Sequence, residues 1–377
     1  MLYTKYYTVR KDADIFKYFD DSTLIYNYLK DNTSAIWDVF IHSKIPPEIG
    51  KPTIGWFIDG FNLINTNQVI IKLHITLHLI SFGNYHVHAF IFCFLAFLGC
   101  VFLYNQCVNY LKLNPILCLL IFLIPSFLLW TSAPLKETLI AFLMFYALGY
   151  FIKYLYEKKN KYAVLTLTFT ILTFFIKPYF AVALLPLILF ALIPIKNTTL
   201  KYLSFGSIVF LFLLILDISL ENFKFINWIV QKQHDFLNHA TAENAGSLIY
   251  LPRSEKSFLG ILSVLPVAFW NVMFRPLPFE SLNPMFLLAS FENVFILFLI
   301  TISIIFRKKS FSKQEKELLY FLSVFCLIII LLIGVTTPVL GAIVRYKAPI
   351  LPLILIICLI FLDLEKIKKY VPFKKHI

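Results

Sequence analysis

Charged residues are scarce in this sequence of 377 residues: Asp, Glu, Lys and Arg make up 15% of it, against about 25% in typical soluble domains. Hydrophobic residues make up 59%, and the mean hydropathy is +0.79. From about Val69 onward, apolar stretches follow one another with only short polar breaks. This composition excludes an ordinary soluble protein and indicates a chain whose main solvent is lipid.

Metal-binding and redox motifs are also lacking, since none of the six cysteines forms a CxxC pair. Cys93, Cys100 and Cys107 recur every seven residues inside apolar sequence, which predicts small packing residues on one helix stripe. His74 and His78 are spaced as i, i+4, but no glutamate completes an HExxH pattern. Packing or interfacial roles are therefore favoured over a zinc site.

No internal repeat, heptad pattern or nucleic-acid-binding motif accompanies the formal net charge of +13. Many lysines and arginines instead fall in short loops between apolar runs. Such loops carry the charges that orient membrane proteins and attract anionic headgroups. The predicted partner of the basic charge is therefore the lipid bilayer, and no nucleic acid is expected.

The continuous apolar runs predict membrane helices. A span needs roughly 20 mostly apolar residues, and in lipid only helices or closed barrels satisfy their own backbone groups. Because the runs do not alternate, the predicted fold is an all-α, polytopic helical membrane protein with about ten membrane segments. The segment 69–81 is apolar but short, and it predicts either an interfacial helix or a weak first span. The clearer predicted segments are 86–104, 115–130, 138–154, 163–195 as two short helices split at Lys177-Pro178, 203–218, 258–274, 286–306, 318–335 and 350–362.

Residues 1–66 differ from the rest, because they are charged, aromatic and interrupted by prolines and glycines. They are predicted to form an amphipathic extramembrane cap, with helices near 13–29 and 33–42. Residues 67–377 are predicted to form the multi-span domain, interrupted by a soluble loop at 221–256. The lysine-rich segments 153–161, 307–316 and 366–375 are placed in the cytoplasm, so the turns at 131–137, 275–284 and 339–347 lie outside.

Polar residues within or beside the apolar sequence are the candidate functional groups. On the predicted outer face lie five cations and a carboxylate: Lys136, Glu137, Lys177, Arg275, Arg345 and Lys347. Asp12 and Asp14 belong to an acidic N-terminal segment whose alternative role is a solvated surface helix. Lys136 and Glu137 follow a proline-rich turn in which an interfacial tryptophan and a snorkelling lysine are the alternative. Glu292 lies in a predicted span, where a cation from this set is its expected partner.

Together these side chains suit a phosphorylated lipid. Cations at a membrane edge bind a phosphate or pyrophosphate headgroup, and arginine does so through two donors. A nearby carboxylate can act as a general base on a sugar hydroxyl. The combination indicates glycosyl transfer from a lipid-phosphate donor.

The segments DADIFKY, IPSFLLWTSAPLKE and RYKAPILP, with the RP turn after a proline-interrupted helix, resemble bacterial multi-pass GT-C-type glycosyltransferases. The resemblance implies a polyprenyl-phosphate-linked sugar as donor, a lipid-linked or cell-surface glycan acceptor and the bacterial cytoplasmic membrane. It implies Asp14 as catalytic base, with Asp12 completing a DxD-like pair, and Arg345, Arg275 and Lys177 as phosphate ligands. The family normally has a full span before its acidic loop, and residues 1–10 are too short and polar to form one.

Other functions stay open on the sequence. A polysaccharide repeat-unit polymerase would depend on external arginines, and a transporter or flippase would need polar groups at mid-membrane. A purely structural membrane subunit is a further alternative. No metal ligand is assigned, although Asp12 and Asp14 could hold a divalent ion.

Overall fold

A computed structural model of the chain describes residues 13–53, 56, 65–193, 195, 197–219, 225–242, 245–280 and 283–370. The chain is 80% helical, and these residues form no strand, which confirms the all-α class. In chain order the helices are α1 (Asp14–Asp31), α2 (Ile36–Phe40), α3 (Pro47–Gly50), α4 (Thr66–Ser81), α5 (Tyr85–Asn109), α6 (Pro115–Ile121), α7 (Pro125–Thr131), α8 (Lys136–Glu157), α9 (Asn160–Ile176), α10 (Pro178–Leu192), α11 (Thr198–Ser219), α12 (Phe225–Ala242), α13 (Phe258–Phe274), α14 (Pro284–Ile305), α15 (Lys313–Thr336), α16 (Leu340–Lys347), α17 (Leu351–Phe361) and α18 (Leu364–Tyr370).

Within the described ranges, five helices are long and apolar enough to cross a membrane, by length and composition. They are α5, α8, α14, α15 and the continuous helix Leu340–Phe361 formed by α16, a short 3₁₀ turn and α17. Three shorter apolar helices of 15 to 17 residues, α9, α10 and α13, accompany them. The described part of the chain thus holds five candidate spans, fewer than the ten segments predicted.

Prolines explain much of the difference. Pro115 and Pro125 each begin a helix of seven residues, so the predicted segment 115–130 is two short helices. Pro178 likewise ends the run of α9 and begins α10. A proline lacks the backbone N–H that an interior helical position donates, but its fixed φ suits the first turn. Length of apolar sequence alone therefore overcounted the spans.

The N-terminal segment and the predicted soluble loop also have defined helices. α1 corresponds to the helix predicted near 13–29, whereas the segment 33–42 holds only a 3₁₀ turn and the five-residue α2. The loop predicted at 221–256 contains the 18-residue α12. In α12, Ile229 packs in one cluster with Ala268 and Val335, which lie on α13 and α15. The apolar spacing of α12 is helical, and this face is covered by the bundle rather than by water.

α8 is the central helix of the bundle and packs against both α5 and α9. In the apolar windows of α8 and of Leu340–Phe361, 72% of residues are buried, against 28% in α5 and in α14. The latter two are therefore peripheral helices that expose apolar faces. Because α8 begins inside the bundle, its first two residues, Lys136 and Glu137, are buried although they carry charge.

Gly334 marks a close helix crossing. A Cβ built on it would overlap the carbonyl oxygen and carbon of Ala268 on α13, whereas a Cβ on Gly206 of α11 meets no heavy atom within 4 Å. We expect Gly334→Ala to lower the free energy of unfolding by about 1–3 kcal/mol, as overpacking does. Gly206→Ala is the control and should be neutral or slightly stabilising, because alanine is the better helix former. Thermal unfolding in detergent measures both, and equal midpoints for the two variants would contradict the close crossing.

Candidate functional site

Three helix ends meet around Glu137. Glu137 lies in the first turn of α8, Lys177 occupies the break between α9 and α10, and Arg345 lies on α16. Pro178 fixes the break that carries Lys177, because the residue before a proline is driven out of the helical conformation. Glu137 and Lys177 therefore come from a helix start and a helix break, and Arg345 joins them from the continuous helix Leu340–Phe361.

Glu137 accepts three hydrogen bonds from the two cations. Arg345 donates from Nε to Oε1 at 2.9 Å and from Nη2 to Oε2 at 3.2 Å, which is a two-point contact. Lys177 Nζ donates to Oε1 at 2.7 Å. The Glu137 side chain is fully buried. A buried carboxylate is tolerated only when it is paired and hydrogen-bonded, and this one is paired twice.

Asp14 is the accessible member of the same network. Arg345 Nη1 donates to Asp14 Oδ2 at 2.8 Å, so one guanidinium joins the buried Glu137 to Asp14. The Asp14 side chain is 39% exposed and that of Arg345 is 17% exposed. Asp14 is the first residue of α1. The predicted partner Asp12 lies outside the described residues.

Lys136 lies beside this network and has a different set of partners. Its Nζ donates to Thr66 Oγ1 at 2.7 Å and to Asn67 Oδ1 at 2.6 Å, and it lies 5.6 Å from the ring centre of Tyr18. Tyr18 also donates its hydroxyl to Asn67 Oδ1, at 3.2 Å. Burial, followed by the charge of Asp14, raises the pKa of Tyr18 well above its usual value, so this hydroxyl keeps its proton. Among described side chains, no carboxylate lies within 4 Å of Lys136 Nζ.

Aromatic rings enclose the cations. The ring centre of Tyr346 lies 4.4 Å from Lys177 Nζ, and that of Trp130 lies 5.6 Å from Arg345 Cζ. The ring centre of Tyr179 lies 5.8 Å from Lys177 Nζ. The indole Nε1 of Trp130 and the hydroxyl of Tyr179 are buried and have no hydrogen-bond partner in the described part of the chain. A buried donor without an acceptor is costly, so these two groups have capacity for a ligand oxygen.

We call the five charged residues Asp14, Lys136, Glu137, Lys177 and Arg345 the charge cluster. With all five ionised, three cations and two carboxylates give a net charge of +1. One carboxylate is accessible, and two neutral donors lie unused at the cations. The arrangement is suited chemically to hold an anion next to a carboxylate that can accept a proton.

Two further predicted phosphate ligands, Arg275 and Lys347, lie in a separate group. Lys347 Nζ is buried and donates to Asn293 Oδ1 at 2.7 Å, Val272 O at 3.1 Å and Arg275 O at 3.3 Å. All three ammonium protons of Lys347 therefore have acceptors. These three hydrogen bonds tie the turn after α13 to α14. Arg275 pairs with Glu280.

Glu292 does not have the cationic partner that the sequence predicted. One of its oxygens, Oε2, accepts from the backbone N–H of Ser126 at 2.7 Å. No described lysine, arginine or histidine lies within 4 Å, and Oε1 has no hydrogen-bond partner among the described residues. The ammonium group of Lys347 instead donates a hydrogen bond to the next residue, Asn293. The prediction for Glu292 was right only in part, because the charge of Lys347 acts on Glu292 but the two side chains form no ion pair.

Three buried histidines hold α1, the helix of Asp14, against α4 and α5. His78 Nε2 lies 3.0 Å from Ser22 Oγ, and His88 bonds Ser81 at 2.6 Å and His74 at 2.7 Å. Burial lowers the pKa of His78 to about 4 and that of His74 well below its usual value. With these lowered pKa values His74 and His78 are expected to be uncharged at pH 7, and all three rings pack between the helices. No three described His, Cys, Asp or Glu side chains are arranged to hold a metal ion.

Sequence reasoning missed Thr66, Asn67 and Tyr179 as parts of this site, since uncharged residues of these types occur throughout the chain. The sequence predicts only an interfacial role for Trp130 and assigns none to Tyr346, although they lie in the segments IPSFLLWTSAPLKE and RYKAPILP. The chain matches no family model, no curated protein and no solved structure.

Proposed function

We propose that this chain is an integral membrane glycosyltransferase. It moves a sugar from a polyprenyl-phosphate donor to a lipid-linked or cell-surface glycan acceptor, and it resides in the bacterial cytoplasmic membrane. The observation that carries the proposal is the position of Arg345, which bridges the accessible Asp14 and the buried Glu137. A base and a cation for the leaving group are thereby held a few ångströms apart.

In the proposed reaction, Asp14 accepts the proton of an acceptor hydroxyl. The hydroxyl oxygen forms a bond to the anomeric carbon, and the bond from that carbon to the phosphate oxygen breaks, with its electron pair leaving on the phosphate. Arg345, Lys136 and Lys177 stabilise the charge that develops on the leaving polyprenyl phosphate. Trp130 Nε1 and the Tyr179 hydroxyl supply neutral donors to the same oxygens.

Glu137 has a positioning role in this scheme. Both of its oxygens are occupied by Arg345 and Lys177, and a carboxylate repels a phosphate. Its charge instead keeps two cations buried close to one another, where they would otherwise repel. Arg275 and Lys347 are left to stabilise the turn between α13 and α14. A divalent ion held by Asp12 and Asp14 stays part of the proposal without a step assigned to it.

Binding of polyprenyl phosphate tests the anion site. Lys136 Nζ has two described acceptors, so a third proton is open for a phosphate oxygen. We expect the purified chain in lipid nanodiscs to bind polyprenyl phosphate at least tenfold more tightly than the uncharged polyprenol. Lys136→Gln should lose about tenfold or more, since a hydrogen bond to a charged group contributes roughly 1.5–3 kcal/mol.

Lys309→Gln is the matched control, because it removes the same charge from an exposed loop after α14. Its affinity for polyprenyl phosphate should equal that of the wild type. Equal binding of the phosphate and the alcohol, or equal effects of the two substitutions, would remove the charge cluster as a phosphate site.

A further inference from the structure

An apolar groove lies at the other end of α1 from Asp14. It runs between the C-terminal half of α1, the short α2 and the second half of α4, and leaves a half-open cavity of about 450 Å³. Ligand pockets commonly have volumes of roughly 300–1,000 Å³. Six of the nine lining residues are apolar or aromatic: Tyr26, Leu29, Ile36, Phe40, Ile75 and Leu79.

The groove walls are held in place by hydrogen bonds and by ring stacking. Lys72 Nζ on α4 donates to Phe40 O at 2.9 Å and to Ser43 Oγ at 2.8 Å, which fixes the end of α2 against α4. On the other side, the Tyr26 ring stacks on His78 with centroids 5.1 Å apart. The cavity is therefore a feature of the packed helices rather than a gap between loose segments.

Exposed apolar residues connect the groove to the membrane boundary. Leu79 lines the groove and is 65% exposed, and Phe82, in the turn after α4, is 93% exposed. Gly83 and Asn84 complete this turn, and α5, one of the five candidate spans, begins at the next residue. Leu79 of the groove thus lies six residues before the first residue of a candidate membrane span.

Exposed apolar residues also lie at α2, on the other side of the groove from α4. Trp37 on α2 is 65% exposed, and Ile36 and Ile41 are also exposed. Tryptophan prefers the headgroup level of a bilayer, where its apolar ring and polar N–H are both satisfied. Several exposed apolar side chains beside one apolar groove are unfavourable in water and point to a lipid surface.

Lys30 supplies the one cation among the lining residues. Its side chain is exposed, and Nζ lies 5.0 Å from the ring centre of Tyr26 at the groove. A lysine that rests its stem on apolar surface and its ammonium at the rim suits a phosphate headgroup above an acyl chain. The other polar lining residues, Thr33 and Thr76, carry no charge.

We propose that this groove binds one phospholipid of the surrounding bilayer, with an acyl chain between α1, α2 and α4 and the headgroup phosphate at Lys30. The bound lipid fills the space that packing leaves open beneath the cap. It thereby fastens α1 and α2 to the membrane surface. This inference does not depend on the proposed sugar transfer, because the groove and the charge cluster share no residue.

Retention of phospholipid by the purified chain tests the groove. Native mass spectrometry in mild detergent, after exchange into palmitoyl-oleoyl phosphatidylglycerol, should show one phospholipid retained per chain. Thr76→Trp fills the groove and should lower the retained fraction about tenfold. Thr168→Trp is the matched control, because Thr76 and Thr168 are both exposed and each donates to the carbonyl four residues earlier, at 3.0 Å.

Lys30→Glu provides a second variant at an exposed side chain, in case Thr76→Trp does not fold. It should lower retention of phosphatidylglycerol several-fold, with an unchanged thermal midpoint. Equal retention by the Thr76→Trp and Thr168→Trp variants, or by wild type and Lys30→Glu, would overturn the proposal. Displacement of the retained phospholipid by one equivalent of polyprenyl phosphate would also overturn it, since the groove would then hold the donor.

Discussion

Asp14→Asn is expected to reduce the rate of sugar transfer by about 100-fold to 10,000-fold, the usual contribution of a general base. Asparagine has the same shape and can still accept the hydrogen bond that Arg345 Nη1 donates to Oδ2. It cannot take a proton from an acceptor hydroxyl. Binding of polyprenyl phosphate should therefore persist while transfer is lost, as measured with a radiolabelled polyprenyl-phosphate sugar in nanodiscs.

Asp31→Asn is the matched control, since Asp31 is the last residue of α1 and its side chain is exposed. It should leave transfer unchanged. Full activity of Asp14→Asn would contradict the assignment of the base and favour a polymerase that relies on arginine. Transport of a lipid-linked glycan across vesicles without any bond formation would instead favour the flippase.

Glu137→Gln is expected to cause the largest loss of stability of any single substitution in the charge cluster. The change removes the one carboxylate that pairs with Lys177 and one of the two that pair with Arg345, and it leaves two largely buried cations close to one another. Removing one partner from a buried ion pair costs about 3–5 kcal/mol, which is a large part of the stability of a typical protein. Thermal unfolding followed by circular dichroism in detergent measures the loss.

Glu157→Gln is the control at the other end of the same helix. Glu157 pairs with the exposed Lys159, so the unfolding midpoint of the Glu157→Gln variant should differ little from that of the wild type. A triple variant, Glu137→Leu with Lys177→Met and Arg345→Met, should recover much of the lost stability, since apolar residues of similar volume commonly replace buried ion pairs well. A wild-type midpoint for Glu137→Gln alone would show that the cluster is hydrated and not held by this carboxylate.

The helical membrane character of the chain follows from the sequence for a local reason. Long apolar runs satisfy their backbone groups internally only as helices, and this holds whatever packs around them. Boundaries are local as well: Asn84, Asn114 and Ser312 cap the helices that follow them, and Pro178 begins α10. The number of spans was harder to predict from the sequence, because proline breaks and packing divide apolar sequence into pieces too short to cross a bilayer.

The presence of unusual charges was also visible in the sequence, since a lysine or glutamate within apolar sequence needs a partner. The partners themselves were not. Arg345 and Lys347 are two residues apart on one helix and therefore project in different directions. One joins Asp14 and Glu137, and the other joins Asn293 and the turn after α13.

Sequence alone thus determined that this protein is helical, suited to a membrane, and furnished with a few buried charges. Only the tertiary structure decided that Arg345 meets a carboxylate 208 residues away and another 331 residues away. Contacts at such separations depend on how α1, α8 and α16 pack against each other. That packing is set by the shapes of many apolar side chains together, which no local pattern encodes.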